Sequence, residues 1–214
     1  MRRWLTVAAA GAAVVMASGV AQGQTRITED PKGYAGIVAE SAFGNVTSQS
    51  FGAEAGYAVT PQFVIFIEGG RVMDAAPSSL GQGAQIIAVA LGVANVTYAV
   101  KEPINFFATG VKYMIPTGTK FEPYLLAGGG VGMAKPDAEF SIAGVNVNDR
   151  LAQFGVVLGA DLSGTSTAAM MEVGGGVVFL LPHVYFDLGA RYNRLFTDAA
   201  IPFGRVGLGF GFRF

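Results

Sequence analysis

The chain has 214 residues, no cysteine, and a near-neutral balance of 14 lysines and arginines against 15 aspartates and glutamates. That balance excludes the basic footprint of a nucleic-acid-binding protein, and a hydrophobic share of 51% excludes intrinsic disorder. Charged residues make up only 14%, below the ~25% of soluble domains, and the 31 glycines are about twice the usual ~7%.

The first residues read MRRWLTVAAAGAAVVMASGVAQGQ. Arg2 and Arg3 give a basic start, an apolar stretch follows, and Ala21-Gln22-Gly23 offers small residues for cleavage. Residues 1–23 are therefore expected to be an export signal peptide, 24–32 a short N-terminal segment, and 33–214 the folded domain. After the signal no stretch reaches the ~20 apolar residues of a transmembrane helix, and Ile86 to Val96, the longest, is too short. If such a chain enters a membrane, it does so as a closed β-barrel, which satisfies every backbone group in lipid.

Alternation with period two marks strands in chain order. GYAGIVAESAF from Gly33 is apolar on both faces, with Glu40 suggesting the polar side. QSFGAEAGYAV sets Phe51, Ala53, Ala55, Tyr57 and Val59 against Gly52, Glu54 and Gly56, and QFVIFIEGG has only Glu68 to mark its polar face. INFFATGVKYMI sets Phe107, Val111, Tyr113 and Ile115 against Gly110 and Lys112. KFEPYLLAGGGVGMA sets Phe121, Leu125 and Val131 against Glu122, Gly128, Gly130 and Gly132. In STAAMMEVGGGVVFL, Met171, Val173, Val177 and Phe179 oppose Glu172, Gly174 and Gly176. HVYFDLGARYNRLF places Val184, Phe186, Leu188 and Tyr192 opposite Asp187, Gly189, Arg191 and Asn193. The final RVGLGFGFRF places Val206, Leu208, Phe210, Phe212 and Phe214 opposite Arg205, Gly207, Gly209 and Gly211.

These eight strands predict an all-β, eight-stranded antiparallel up-and-down transmembrane barrel. Short turns at Thr60-Pro61-Gln62, Pro116-Thr117-Gly118-Thr119 and Leu181-Pro182-His183 carry the residues that turns require. Two long connections, Val72 to about Glu102 and Lys135 to about Thr165, fall at the opposite end. The first contains IIAVALGVANV, a candidate for a short helix capping the barrel. Outer-membrane barrels show this asymmetry, with short periplasmic turns and longer external loops; both termini, and with them residues 24–32, would then be periplasmic. A soluble lipocalin-like barrel would instead turn its apolar face inward and cover itself with Lys, Glu and Thr. The polar face here is mostly glycine and alanine with an occasional charge, which suits the narrow interior of eight strands.

On these residues the chain resembles the small outer-membrane β-barrel proteins, the group of the outer-membrane protein A transmembrane domain and its single-domain relatives. The most specific element is the ending, where Gly209, Phe210, Phe212 and Phe214 match the family's C-terminal assembly signal. Gly207 departs from the pattern, since the family often has a polar residue there. The resemblance implies residence in the cell outer membrane, contact with outer-membrane lipid and lipopolysaccharide, and recognition by the barrel-assembly machinery. It also leads us to expect a monomer with no nucleic-acid partner.

Catalytic chemistry finds little support. His183 is the lone histidine, in a turn, while the lipid A-modifying relatives carry a histidine and serine near the outer leaflet. With no cysteine and one histidine a catalytic zinc site cannot be built, so neither enzyme activity nor a cofactor is expected. The inward charges Glu54, Glu68, Lys112, Glu172, Asp187, Arg191 and Arg205 are the more informative constellation. Confined charge must pair, either as a structural network that fills the lumen or as the gate of a narrow transport channel. The predicted centre is Arg191, held by Glu172 and Asp187 and supported by Lys112 or Arg205.

Overall fold

In the computed structural model, residues 31–214 are described. The predicted signal peptide, and most of the segment after it, lie outside these residues. Eight strands close the barrel: β1 (Gly33–Phe43), β2 (Thr47–Ala58), β3 (Phe63–Val72), β5 (Ile104–Met114), β6 (Phe121–Ala134), β9 (Ser166–Leu180), β10 (Val184–Leu195) and β11 (Ile201–Arg213). Each pairs antiparallel with its neighbours in chain order, and β1 closes on β11 from Tyr34 opposite Arg213 to Phe43 opposite Gly204. The backbones of Gly33 and Phe214 exchange hydrogen bonds of 2.7 and 2.9 Å at the seam.

The eight predicted strands are the barrel strands, with small shifts of their limits. The largest shift is at β11, which starts at Ile201, four residues before the alternation of RVGLGF becomes visible. Pro202 hides this start, because proline offers no N–H to a ladder; it sits opposite Arg194 near the end of β10.

The apolar face of every barrel strand points outward. Ile37 is 67% exposed and Leu208 64%, and Ile65, Phe107, Leu125 and Val173 project from other strands in the same way. The lumen is filled in three layers. At the end carrying the long connections, Val72, Ile104, Phe106, Leu195 and Phe203 form an apolar plug. At the turn end, Val64, Phe66, Met114, Tyr124, Val178 and Tyr185 form a second. Charged side chains occupy the space between. The sequence reading of a polar lumen is thus refined: the middle layer carries the charge network, and the layers on either side are mainly apolar, with Ser50 and Glu122 among their buried residues.

The two long connections fold together into a cap. Helix α1 (Ser78–Ala90) packs on β4 (Val96–Lys101), which pairs with β7 (Asp137–Ile142), which pairs in turn with β8 (Val145–Asn146). A 3-10 helix over Asn148–Phe154 and a helical turn, α2 (Ala160–Ser163), complete it. Leu80, Ala84, Leu91, Phe140, Val147 and Leu151 make its own apolar core. The expected capping helix exists but occupies a different span: it begins at Ser78 and ends within IIAVALGVANV. Gly92, at φ +64°, takes the left-handed conformation that stops a helix, and Val96 then begins a strand.

Candidate functional site

The middle layer gathers all seven charges that the sequence placed in the lumen, and all are buried. Two guanidiniums organise it. Arg205 donates to Glu40 at 2.9 Å, to Glu68 Oε1 at 2.7 Å and to Glu172 Oε1 at 2.7 Å. Arg191 donates to Glu54 Oε2 at 2.7 Å and to Glu68 Oε2, and lies farther from Glu172 (3.5 Å) and Glu40 (3.7 Å). Glu68 therefore bridges both arginines. Lys112 Nζ is 2.5 Å from Glu54 Oε1, which also accepts the Tyr34 hydroxyl at 2.7 Å.

This corrects the predicted centre. Asp187 makes no ion pair with Arg191; it accepts the Tyr124 hydroxyl at 3.0 Å and lies 3.8 Å from Lys112. Residues four apart along one strand are separated by about 13 Å, and barrel strands tilt relative to the axis. Partners at one level consequently come from other strands. Arg205, expected as a support, is an equal centre. Glu40 belongs to the network although the sequence reading used it only to orient β1. The signal was the same one that found Glu54, a lone charge in an apolar strand.

Aromatic rings of the plugs face the charges. Arg205 lies 4.5 Å from the Phe106 ring centroid, and Lys112 Nζ lies 4.8 Å from Tyr124 and 5.3 Å from Tyr34. Cations over ring faces gain electrostatic attraction, so each plug is fastened to the charged layer. Glycine makes this packing possible. A Cβ on Gly189 would stand 2.7 Å from the Tyr124 hydroxyl oxygen. At Gly207, the departure from the family pattern, a Cβ would stand 2.8 Å from Glu40 Cγ, so a side chain there would push into the network.

Chemically the arrangement shares three cations among five carboxyl groups and fills space. His183, in the turn between β9 and β10, is exposed and remote from the layer. On the outside, Phe210 and Phe212 project from β11, Phe210 packs 5.1 Å from Phe186, and Phe214 is exposed at its end. Gly209 lies on the inner face.

An apolar belt around a lumen filled by buried ion pairs and two apolar clusters defines the class: the fold is that of the small eight-stranded outer-membrane β-barrels. Among solved structures the chain is similar to Neisserial surface protein A, at 17% identity over 85% of this chain and 96% of that one, with a TM-score of 0.49. It is similar to Ail, the attachment invasion locus protein of Yersinia pestis, at 14% identity over 86% and 99%, with a TM-score of 0.44. It is also similar to the N-terminal β-barrel domain of Pseudomonas aeruginosa OprF, at 13% identity over 86% and 100%, with a TM-score of 0.45. No protein-family model matches the chain, and no curated protein is detectably similar to it in sequence. At these identities the likeness is one of architecture, and none of the three lends this chain a ligand or an activity.

Proposed function

We propose that the protein is a non-enzymatic, monomeric barrel integral to the outer membrane, with a structural or surface-presenting role. The observation that supports this most is the lumen filled with buried side chains. Arg191 and Arg205 tie Glu40, Glu54, Glu68 and Glu172 together between two apolar plugs. Such an interior suits a scaffold, while a narrow transport channel needs a continuous polar path. The apolar belt meets lipid, and lipopolysaccharide in the outer leaflet; the folded cap then stands outside the cell, with the short turns and the seam residues Gly33 and Phe214 on the periplasmic side. Residues 1–23 are the export signal in this reading. Gly209, Phe210, Phe212 and Phe214 are the sequence that the barrel-assembly machinery reads.

Planar-bilayer conductance of the purified protein tests the reading. Wild type is expected to give no steady conductance. A stable open pore would reject the scaffold and establish the channel. Release from cell envelopes without detergent would reject the membrane assignment altogether.

A further inference from the structure

The junction between the cap and the barrel mouth holds a pair of carboxyl groups that the lumen network does not use. Asp74 leaves β3 as Glu102 leads into β5, and Asp74 Oδ1 accepts the backbone N–H groups of both Ala76 and Glu102, each at 3.0 Å. The Ala75 N–H donates to the Glu102 carbonyl at 2.9 Å. The turn between β1 and β2 and the start of β2 join in: the Ser48 hydroxyl donates to the Asp74 carbonyl at 2.6 Å, and Asn45 Nδ2 donates to the Ala76 carbonyl at 3.2 Å. The Asp74 carboxylate thus ties together the two ends of the first long connection, and Asn45 and Ser48 hold its backbone where it leaves the barrel.

The Glu102 side chain is the odd member. The residue is 5% exposed, and its Oε2 is buried with no hydrogen-bond partner. Ionisation with one oxygen buried and unpartnered is costly, whereas the neutral acid is much less so.

We propose that Asp74 and Glu102 form a proton-sensitive latch, closed when Glu102 is neutral and loosened when it ionises beside Asp74. Burial, reinforced by the neighbouring Asp74 charge, pushes the Glu102 carboxyl up to about 7. Asp74 is the charged group that acts on it. The other charges on adjoining elements are exposed: Lys101 on β4, Asp137 opposite it on β7, and Lys135, whose backbone N–H bonds to the Pro103 carbonyl. The turn between β1 and β2 contributes the uncharged Asn45, and β2 the uncharged Ser48. Because the folded state holds this proton to higher pH than the unfolded chain, latch stability falls as pH rises from the ordinary value of 4.5 toward 7. Above the folded value there is nothing further to lose. The consequence is a cap that loosens at its base in neutral to alkaline surroundings while its own apolar core stays folded.

Amide hydrogen exchange on the full chain in detergent micelles, from about pH 5 to about pH 8.5, reads this directly. The Ala76 and Glu102 amides report the latch, and the Phe140 amide, bonded to Asn148 Oδ1 inside the cap, is the internal reference. In wild type the protection of the two latch amides relative to Phe140 should fall about tenfold or more across this range. Glu102→Gln should hold the low-pH ratio throughout. Asp74→Asn, which keeps the acceptor oxygen and removes the charge, should move the midpoint to lower pH. A ratio that stays constant in wild type, or that falls equally in Glu102→Gln, overturns the latch. The wild-type titration decides even if a variant fails to fold.

Discussion

The barrel and the cap use the same residue types sorted in opposite directions. In the barrel, Leu188 and Leu208 face outward while Arg191, Arg205 and Glu172 are buried. In the cap, Leu80, Phe140 and Leu151 are buried, and the charged Lys101, Glu139 and Arg150 are exposed. Neither arrangement follows from hydrophobicity alone. Each follows from the medium outside: apolar surface is stable against lipid, and charge survives inside only where it is paired. Mutational rules should therefore invert between the two regions, and the expected effects rank as follows in size.

The largest concerns the charge layer. Arg205→Ala removes the partner of Glu40, Glu68 and Glu172 together and leaves carboxylates buried with reduced pairing. Truncating one side of a buried pair typically costs about 3–5 kcal/mol. Equilibrium unfolding in detergent should show a loss of that order in the barrel; an unchanged midpoint would mean that the network is not structural.

Next comes the outer face. Leu188→Arg puts a charge on the lipid side and should cost about 2–4 kcal/mol if it lies near the bilayer midplane. Its inward neighbour fails for another reason. Gly189→Leu drives a side chain into the Tyr124 hydroxyl, and overpacking of this kind typically costs ~1–3 kcal/mol. Unfolding in lipid vesicles separates the two, because only the Leu188→Arg penalty should shrink when the bilayer is replaced by a soluble, polar surround. Equal behaviour in both media would contradict lipid contact at Leu188.

The smallest effect is in the cap. Val89 is more exposed than Leu188, at 75% against 57%, yet it sits on α1 in the cap, which the proposed topology places in water. Val89→Arg should stay within about 0.5 kcal/mol of wild type, as ordinary surface substitutions do. A penalty matching that of Leu188→Arg would place the cap in lipid.

Much of the barrel was legible because its two faces differ at every second residue. The strand from Val184 to Leu195 could be assigned from Asp187, Gly189 and Arg191 opposite Phe186 and Leu188. The apolar plugs were harder. Val64 and Phe66 share the inner face with Glu68, but the sequence around them, QFVIFIE, is apolar on both faces and the period disappears. Pairing within the charge layer was not legible, since it depends on strand tilt and closure. Sequence spacing favoured Asp187 as the partner of Arg191, whereas tilt delivers Glu54 and Glu68 from across the lumen. The cap was visible only as an apolar stretch, because the strand VTYAVK is short and its partner β7 lies in the other long connection.

Contact between the apolar belt and lipid is the feature on which the barrel's arrangement depends most. The chain's one tryptophan is Trp4, inside the expected signal peptide, so a new tryptophan would report alone in the mature protein. Leu188→Trp and Val89→Trp should be reconstituted separately into vesicles whose acyl chains carry bromine, and their fluorescence compared with that in unbrominated lipid. The account predicts strong quenching at position 188 and none at position 89. Unquenched fluorescence at position 188, or equal quenching at both, would contradict it.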